Sequence, residues 1–260
     1  MIYYDGRFTN YTVVVTGAAN GIGRSCAERF AQEGANTVIC DIDRQNLKKT
    51  EDKIVKKGQK VQSFVFDIGK KNEVDRAMKE TLDRYKKIEV LVHCAGVANE
   101  KRFIDLTEED WLRTININLN GSFYILQPIV RNMVENRFGK IINITSKSGL
   151  IGRANRTPYS ASKFGQNGLT QALALEVAPY NVNVNAICPS RIESQMTIGI
   201  FKDRAKLTKK PYEVIRNEYI KSVPIGRLGL PEDVAAMAAF LATEEASYIT
   251  GQFISVSGGR

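Results

Sequence analysis

The sequence predicts an α/β protein in which one doubly wound parallel sheet of about seven strands carries helices on both faces. Three observations predict this class. Short apolar runs typical of buried strands alternate with segments of helical periodicity. The first two runs and the helical segment between them form a βαβ unit, and the alternation continues along 260 residues without a break for a second core. We therefore expect a single domain over residues 1–260.

The opening βαβ unit is predicted from two β-branched runs, Thr12–Val15 and Thr37–Cys40, which flank a helix at Ile22–Gln32. Later apolar runs of similar length predict strands at Gln62–Phe66, Val90–His93, Lys140–Ile144, Val182–Ile187 and Phe253–Val256. Helical periodicity between these runs predicts helices at 44–57, 71–87, 107–116, 121–136, 160–177 and 231–242. Such sheets bind ligands beyond the carboxyl ends of their strands, so the residues that follow each strand are the first candidates for a site.

One segment, from Arg191 to about Val223, interrupts this rhythm with mixed basic, polar and apolar residues. Long connections on an α/β scaffold commonly cover a bound ligand. We expect a mobile substrate lid at about 191–223.

Composition excludes several classes of protein. A hydrophobic share of 43% with 25% charged residues is ordinary for a globular domain. The first ten residues lack the apolar stretch of a signal peptide, and no run approaches the roughly 18 apolar residues of a membrane span. The four cysteines have neither C-x-x-C nor metal-ligand spacing. We expect reduced thiols, no bound metal, no membrane association and a cytoplasmic location.

The formal net charge of +9 raises the question of nucleic-acid binding. The basic residues are dispersed, for example over Lys48, Lys49, Lys53, Lys56 and Lys57 of one predicted helix, and no basic tract alternates with aromatic residues. Solvated helix faces explain this pattern better than a stacking platform for bases does. We expect no nucleic-acid partner.

A glycine-rich turn, TGAANGIG at 16–23, connects the first strand to the first helix. Glycines there let the backbone turn sharply and approach a pyrophosphate, whose charge the helix N-terminus favours. The turn alone is weak evidence, because tight strand-to-helix turns also use glycine for geometry only. Its position in the βαβ unit favours dinucleotide binding, with contacts from Gly17, Asn20, Gly21, Ile22 and Gly23.

Asp41 ends the second predicted strand, where a carboxylate can accept hydrogen bonds from the adenosine ribose hydroxyls. A 2′-phosphate would meet like charge there, and neither Ala18 nor Ile42 is an arginine that could accept it, although Arg44 is near. We therefore expect NAD rather than NADP. The alternative is that Asp41 is only a turn residue. Asp67, followed by Ile68, ends the third strand and is a candidate for the adenine amino group.

Tyr159 and Lys163 lie four residues apart at the start of a predicted helix, and hence on one face. A nearby ammonium favours phenolate, so we expect Lys163 to lower the pKa of Tyr159 and make it an acid/base near neutral pH. A lone Y-x-x-x-K is common by chance and is most often structural.

Taken together with the other motifs, this pair resembles the short-chain dehydrogenase/reductase family, in its shorter NAD(P)-dependent branch with a Rossmann fold. The resemblance spans residues from about 10 to 259. The matching pieces are TGAANGIG at 16–23, Asp41, Asp67, Ala95-Gly96, Asn118 in NLNG, Ser146 in NITS, YSASK at 159–163, Cys188-Pro189, Thr250-Gly251 and SGG at 257–259. Their order and spacing are highly specific as a set.

The resemblance implies that Tyr159 exchanges the hydroxyl proton and that Ser146 orients the substrate oxygen, with Ser148 as an alternative. Lys163 would hold the nicotinamide ribose and tune Tyr159, and Asn118 would position a water in a proton relay. Further cofactor contacts would come from Ala95, Gly96, Tyr159, Lys163, Pro189, Ile192 and Ser194. The family usually assembles as tetramers or dimers, here through the helices that follow Asn120 and Tyr159.

Two departures from the family pattern stand out. Where Asn-Asn-Ala-Gly is usual, this chain has His93-Cys94-Ala95-Gly96, and where Pro-Gly is usual it has Pro189-Ser190. His93 is the single histidine, and at the end of a buried strand a hydrogen-bonded structural role competes with a catalytic one.

Three arginines lie in two segments that, as the family resemblance implies, border the substrate pocket: Arg153 and Arg156 lie between Ser146 and Tyr159, and Arg191 follows Pro189-Ser190. Guanidinium forks suit carboxylate, sulfonate or phosphate groups, so we expect a small anionic hydroxy compound such as a sugar acid, hydroxy acid or hydroxysulfonate. The arginines could instead face solvent or another subunit. A neutral sugar or polyol is the second candidate substrate, and a non-catalytic nucleotide-sensing protein on the same fold is a candidate from a different functional class.

Overall fold

The computed structural model describes residues 4–260. Residues 1–3, which belong to the segment on which the expectation of no signal peptide rests, lie outside the described part. The strands are β1 (Thr12–Thr16), β2 (Asn36–Asp41), β3 (Val61–Val65), β4 (Val90–His93), β5 (Gly139–Ile144), β6 (Val182–Pro189) and β7 (Phe253–Val256). They form one sheet in the order β3-β2-β1-β4-β5-β6-β7, and neighbouring strands pair in parallel. The predicted fold class is confirmed.

The helices are α1 (Gly21–Gln32), α2 (Arg44–Lys56), α3 (Lys71–Tyr85), α4 (Glu108–Ile115), α5 (Gly121–Asn136), α6 (Thr157–Val177), α7 (Gln195–Thr208), α8 (Tyr212–Lys221) and α9 (Pro231–Leu241). Two apolar layers hold them to the sheet. Val13 and Val15 of β1 face the layer under α1, α2 and α9, whereas Val14 faces the layer under α3, α5 and α6. This alternation follows from the two-residue period of a strand, and burial on both faces explains the continuous apolar run.

The strand order reverses between β1 and β4, because the chain builds outward through β2 and β3 and then returns to the other side of β1. Helices on opposite faces therefore diverge at this point and leave a crevice beyond the carboxyl ends of the strands. The glycine turn after β1 and the Cys94-Ala95-Gly96 segment after β4 meet there.

Two boundaries differ from the sequence prediction in a way that affects the site. Helix α6 begins at Thr157, with Pro158 in its first turn, so that Tyr159 lies inside the helix from the start. The chain between α4 and α5 continues as a π-helical turn over Asn116–Asn120, which holds Asn118. A π turn inserts one residue into the helical repeat, so the ordinary helical period in the sequence does not reveal it.

The segment expected to be a lid at 191–223 contains two helices, α7 and α8, rather than an irregular connection. A small apolar cluster of its own stabilises it: Ile200 and Phe201 of α7 pack against Ile215 and Tyr219 of α8, together with Leu228. The apolar residues occupy only one short face of each helix, which is why the sequence shows no clear periodicity there. That this pair of helices moves over a substrate stays a prediction.

Among residues 4–260, none of the helices has the length and apolar character needed to cross a bilayer.

Candidate active site

A cavity of about 680 Å³ lies beyond the carboxyl ends of the central strands and extends from the glycine turn to α7 and α8. Its volume is in the range of enzyme clefts that bind small molecules. Every residue predicted as a cofactor, catalytic or substrate contact lines this cavity, with Asn118 as the exception. The structure therefore brings the residues predicted from the sequence together at one cavity.

The glycine turn is shaped by contacts that exclude larger side chains. Gly17 has a φ of +66°, and a Cβ on it would lie 2.8 Å from the backbone nitrogen of Ala95. A Cβ on Gly23 would lie 2.1 Å from the Gly17 carbonyl oxygen. Asn20 precedes α1 without a capping hydrogen bond to any described residue, so the first N–H groups of α1 at the cavity are available to an anion. These features fit a pyrophosphate.

Asp41 lies at the edge of the cavity with its carboxylate held in place by the backbone. Its Oδ2 accepts a hydrogen bond from Ala19 N at 2.9 Å, and its Oδ1 accepts one from Asp43 N at 2.9 Å. Ile42 lines the cavity beside it, whereas Arg44 is not among the described residues that do so. A negative charge fixed at this edge fits ribose hydroxyls and disfavours a phosphate in their place.

The two reactive side chains of the Tyr–Lys pair are buried in the first two turns of α6. Lys163 Nζ lies 5.7 Å from the centroid of the Tyr159 ring and donates a hydrogen bond to the Ile144 carbonyl at 3.1 Å. Ser146 follows β5 and is close enough to Tyr159 to influence the pKa of its phenol. Both Ser146 and Ser148 line the cavity, and Ser146 is the one whose hydroxyl acts on the pKa of Tyr159.

The pKa of Tyr159 differs in direction from the sequence prediction. Burial raises it above the ordinary value, while the hydrogen bond from Ser146 and the charge of Arg156 act against that rise. The prediction that Lys163 lowers it was wrong for the protein alone, because the ammonium is directed to the Ile144 carbonyl and the phenol is desolvated. Burial also lowers the pKa of Lys163, to about 8.

Asn118 lies in the π turn with its side chain fully engaged. Its Oδ1 accepts a hydrogen bond from Val97 N at 2.8 Å, and its Nδ2 donates to the Val97 carbonyl and to Ser162 Oγ, both at 3.0 Å. Its backbone carbonyl accepts hydrogen bonds from Ser122 Oγ and Gln166 Nε2. The side chain therefore braces the loop after Gly96, and its predicted part in a water relay stays a prediction.

His93 is completely buried between β1 and α5. Its Nδ1 lies 2.7 Å from Thr16 Oγ1, and its Nε2 lies 2.9 Å from Ser122 Oγ. Thr16 Oγ1 already accepts hydrogen bonds from Cys94 N and Ala95 N, so its own proton goes to Nδ1. The ring then donates from Nε2 to Ser122, which in turn donates to the Asn118 carbonyl.

This arrangement favours the structural interpretation of His93. Burial, together with the charge of Lys163, lowers the pKa of the imidazole to about 3, so the ring is neutral at physiological pH. Both ring nitrogens have fixed partners, and the residue is not among those that line the cavity. The histidine, at a position where the family usually has asparagine, connects Thr16 at the start of the glycine turn to Ser122 in the first turn of α5.

We expect the replacement His93→Gln to change how stability depends on pH. Between pH 6.5 and 4 the unfolded chain protonates this histidine and the folded chain does not, so the free energy of unfolding falls as the pH decreases, by about 1.4 kcal/mol per pH unit. Because the chain has a single histidine, the difference between wild type and variant isolates this contribution. Urea unfolding at several pH values measures it, and parallel curves for the two proteins would contradict the assignment.

The three predicted arginines all line the end of the cavity near Ser146, but their partners differ. Arg156 pairs with Glu100 at 3.3 Å. The guanidinium of Arg191 lies 3.4 Å from the centroid of the Tyr219 ring, and its Nε is buried without a hydrogen-bond partner among the described residues. No hydrogen bond or ion pair within residues 4–260 engages the guanidinium of Arg153.

Sequence reasoning missed several residues at this end. Arg204 and Tyr219 come from α7 and α8, Glu100 from the loop after β4, and Arg260 from the segment after β7. Because the sequence shows no clear helical period over α7 and α8, it offers no signal for the first two. Glu100 and Arg260 have no motif around them, and only the fold brings them to the cavity.

The doubly wound sheet, the glycine turn and the Ser–Tyr–Lys cluster together define a class of enzyme, and the chain belongs to the short-chain dehydrogenase/reductase family. The family model that matches is described as enoyl-(acyl carrier protein) reductase and covers residues 17–260. The resemblance inferred from the motifs is thereby confirmed, and the chain is an oxidoreductase with a small-molecule substrate.

Particular relatives match along almost the whole chain. The 3-oxoacyl-(acyl-carrier-protein) reductase FabG of Thermotoga maritima is 37% identical over 257 residues, which are 97% of this chain and 98% of the relative. The NAD-dependent glycerol dehydrogenase of Listeria innocua serovar 6a is 38% identical over 256 residues, 98% of this chain and 95% of the relative. A solved actinorhodin polyketide ketoreductase variant with NADPH has a TM-score of 0.93 at 32% identity and covers 97% and 98% of the two chains.

Proposed function

We propose that this protein is an NAD-dependent oxidoreductase that interconverts a secondary alcohol and a carbonyl compound. Its substrate is a small anionic hydroxy compound such as a sugar acid, a hydroxy acid or a hydroxysulfonate. One observation carries the proposal: Ser146, Tyr159 and Lys163 line the same cavity as the glycine turn and Asp41. A nucleotide-sensing protein without catalysis has no use for that buried Tyr–Lys pair.

Asp41 supports the choice of NAD. Its carboxylate is fixed by Ala19 N and Asp43 N, so it cannot turn away from a 2′-phosphate without losing two hydrogen bonds. The relatives do not decide the cofactor, since one is named NAD-dependent and another structure contains NADPH. The contacts proposed for the cofactor are Gly17, Asn20, Gly21, Ile22, Gly23, Asp41, Asp67, Ile68, Ala95, Gly96, Tyr159, Lys163, Pro189, Ile192 and Ser194.

When bound, the nicotinamide supplies the acceptor or donor of hydride. The chain supplies the proton chemistry: Tyr159 takes the hydroxyl proton in oxidation and gives it back in reduction, while Ser146 holds the same oxygen. Lys163 would hold the nicotinamide ribose. Because burial raises the pKa of Tyr159, the phenol is protonated at neutral pH in the protein alone and is ready to act as an acid toward a carbonyl substrate.

The arginines support an anionic substrate. Arg153 and Arg191 line the cavity on the Ser146 side and are not paired with carboxylates in the described chain, so an anion there would find uncommitted donors. The names of the relatives favour two different candidates, a neutral polyol and an acyl group carried on a thioester. A neutral polyol and an acyl thioester should therefore be tested in the same assay as the anionic compounds.

We expect formation of reduced nicotinamide from NAD⁺ with at least one anionic member of a panel of hydroxy acids, hydroxysulfonates and neutral polyols. Arg191→Met should raise the KM for that anion at least tenfold, because a guanidinium fork to an anionic group is lost. Initial rates for wild type and variant measure the effect. An unchanged KM, activity confined to neutral polyols, or efficient reduction of acetoacetyl coenzyme A would count against the anionic substrate.

Three further features belong to the proposal. The α7–α8 pair acts as a lid, since Arg191 and Tyr219 connect it to the cavity.

The protein forms a homotetramer or homodimer through α5 and α6, which expose Phe123 and Phe164. It works in the cytoplasm, where its four free cysteines stay reduced. Light scattering of the purified chain tests the assembly, and a monomer at micromolar concentration would contradict it.

A further inference from the structure

The substrate end of the cavity carries a concentration of positive charge that a single negative charge would not balance. Five arginines line it, and they come from separate parts of the chain: Arg153, Arg156, Arg191, Arg204 and Arg260. Among the described residues that line this end, the acidic side chain is Glu100; the two other acidic side chains of the cavity lie elsewhere, Asp41 at the end of β2 and Asp67 after β3. We propose that the group bound here is a tetrahedral dianion, a phosphate monoester on the hydroxy substrate. This inference rests on the proposed function and narrows its substrate class.

Glu100 neutralises only part of this charge. Its side chain is 3% exposed and lies between two arginines, with Arg156 at 3.3 Å from one oxygen and Arg204 at 3.7 Å from the other. A carboxylate shared by two guanidiniums leaves that trio with a net positive charge. Arg153 and Arg191 are left without a carboxylate partner within residues 4–260, and Arg260 donates to the neutral Ser222 Oγ.

Two of the arginines also compete for one aromatic ring. The guanidinium carbon of Arg191 lies 3.4 Å from the centroid of the Tyr219 ring, and that of Arg204 lies 5.4 Å from it. Arg204 donates a hydrogen bond to the Tyr219 hydroxyl at 3.0 Å as well. Attraction to an aromatic face is worth about 0.5–2 kcal/mol, which orients two cations but does not neutralise them.

The positive charges of these arginines repel one another, and burial together with this repulsion lowers the pKa of two of them. Burial is the largest cause that lowers the pKa of Arg153, and the charges of Arg260, Arg156 and Arg204 add to it. The pKa of Arg191 is lowered to about 10, first by burial and then by Arg260 and Arg153 among its neighbours. An anion in the middle of these groups relieves that repulsion, and a dianion relieves more of it.

The donor set matches the oxygens of a phosphate. Arg191 Nε is buried without a partner among the described residues, and the Arg153 guanidinium is also uncommitted. A phosphate monoester brings three acceptor oxygens and a charge of about −1.5 to −2 at neutral pH. A carboxylate offers two oxygens and one charge, and a sulfonate offers three oxygens but still one charge. Charge is therefore the property that separates phosphate from sulfonate at this site.

The test compares two ligands that share a carbon skeleton and differ in charge. Glycerol 3-phosphate and 2,3-dihydroxypropane-1-sulfonate are titrated into the full-length protein by calorimetry at pH 8 and low salt. NADH is present at saturation, so that the phosphate cannot bind at the glycine turn. We expect the phosphate to bind at least tenfold more tightly than the sulfonate. Arg153→Met and Arg191→Met should each weaken phosphate binding at least tenfold.

Arg216→Met is the matched control, because Arg216 lies on α8, is 38% exposed, and is not among the described residues that line the cavity. It should leave both affinities unchanged, and retained NADH affinity shows that each variant is folded. Equal affinity for the two ligands would contradict the proposal of a dianionic group, while the broader proposal of an anionic substrate would still hold. If neither ligand bound more tightly than glycerol, the dianionic group and the anionic substrate would both be contradicted. Failure of NADH to bind would contradict the proposed cofactor alone.

Discussion

Tyr159→Phe should lower kcat by about a hundred- to ten-thousandfold, the range that positioned acid/base groups contribute. The substitution removes one oxygen atom from a side chain that is 6% exposed and keeps the ring that fills the start of α6. The hydroxyl proton of the substrate then loses the group that we propose exchanges it. Initial rates in both directions measure the loss, and a fluorescence titration with NADH checks that cofactor affinity changes by less than about threefold.

Tyr180→Phe is the matched control for this substitution. Tyr180 lies just after α6, is 40% exposed and is not among the described residues that line the cavity, so the same chemical change there should leave the rates unchanged. If the Tyr159 variant kept a tenth or more of wild-type activity, the proton would have to come from elsewhere, and the assignment of the acid/base would fail.

Asp41→Asn should shift the preference between NAD and NADP by about a hundredfold toward NADP. The amide has the shape of the carboxylate but no charge, so the repulsion of a 2′-phosphate disappears while the ribose hydroxyls lose a charged acceptor. Juxtaposed like charges cost several kcal/mol, and a hundredfold change in a ratio corresponds to about 2.7 kcal/mol. The ratio of kcat/KM for the two cofactors is the quantity to measure.

Asp43→Asn serves as the control for Asp41. Asp43 caps α2 by accepting a hydrogen bond from Asn46 N at 3.1 Å, and it does not belong to the described lining of the cavity. Its replacement should cost some stability and leave the cofactor ratio unchanged. A ratio that is the same in wild type and in the Asp41 variant would show that this carboxylate does not select the cofactor.

The parts of the site that the sequence predicted are those that depend on local geometry. The glycine turn, Asp41 and the Tyr159–Lys163 pair each lie within one turn or one helix start, where spacing along the chain determines spacing in the fold. The parallel sheet then brings the ends of its strands to one edge, which is why residues as far apart as Gly17 and Tyr159 could be placed at one cavity in advance.

The remaining features depend on burial and on contacts between distant segments. The direction of the Tyr159 pKa follows from desolvation, which no spacing rule contains. The positions of Glu100 and Arg204 follow from how a loop and α7 pack over the cavity. The full engagement of the Asn118 amide follows from the π turn. Each of these needs the packed structure because its cause lies in a neighbour that is far away in the chain.

The hydrogen-bond chain through Thr16, His93 and Ser122 has a consequence for how sequences of this kind diverge. Each of the three groups has its donor and its acceptor committed to the next, so replacing one alone leaves a buried polar atom unpaired, at a cost of about 1–3 kcal/mol. Drift at any one position is thus constrained by the other two. Descendants that keep the histidine should keep both hydroxyls, and lineages that exchange it for asparagine should show coordinated change at the position of Ser122.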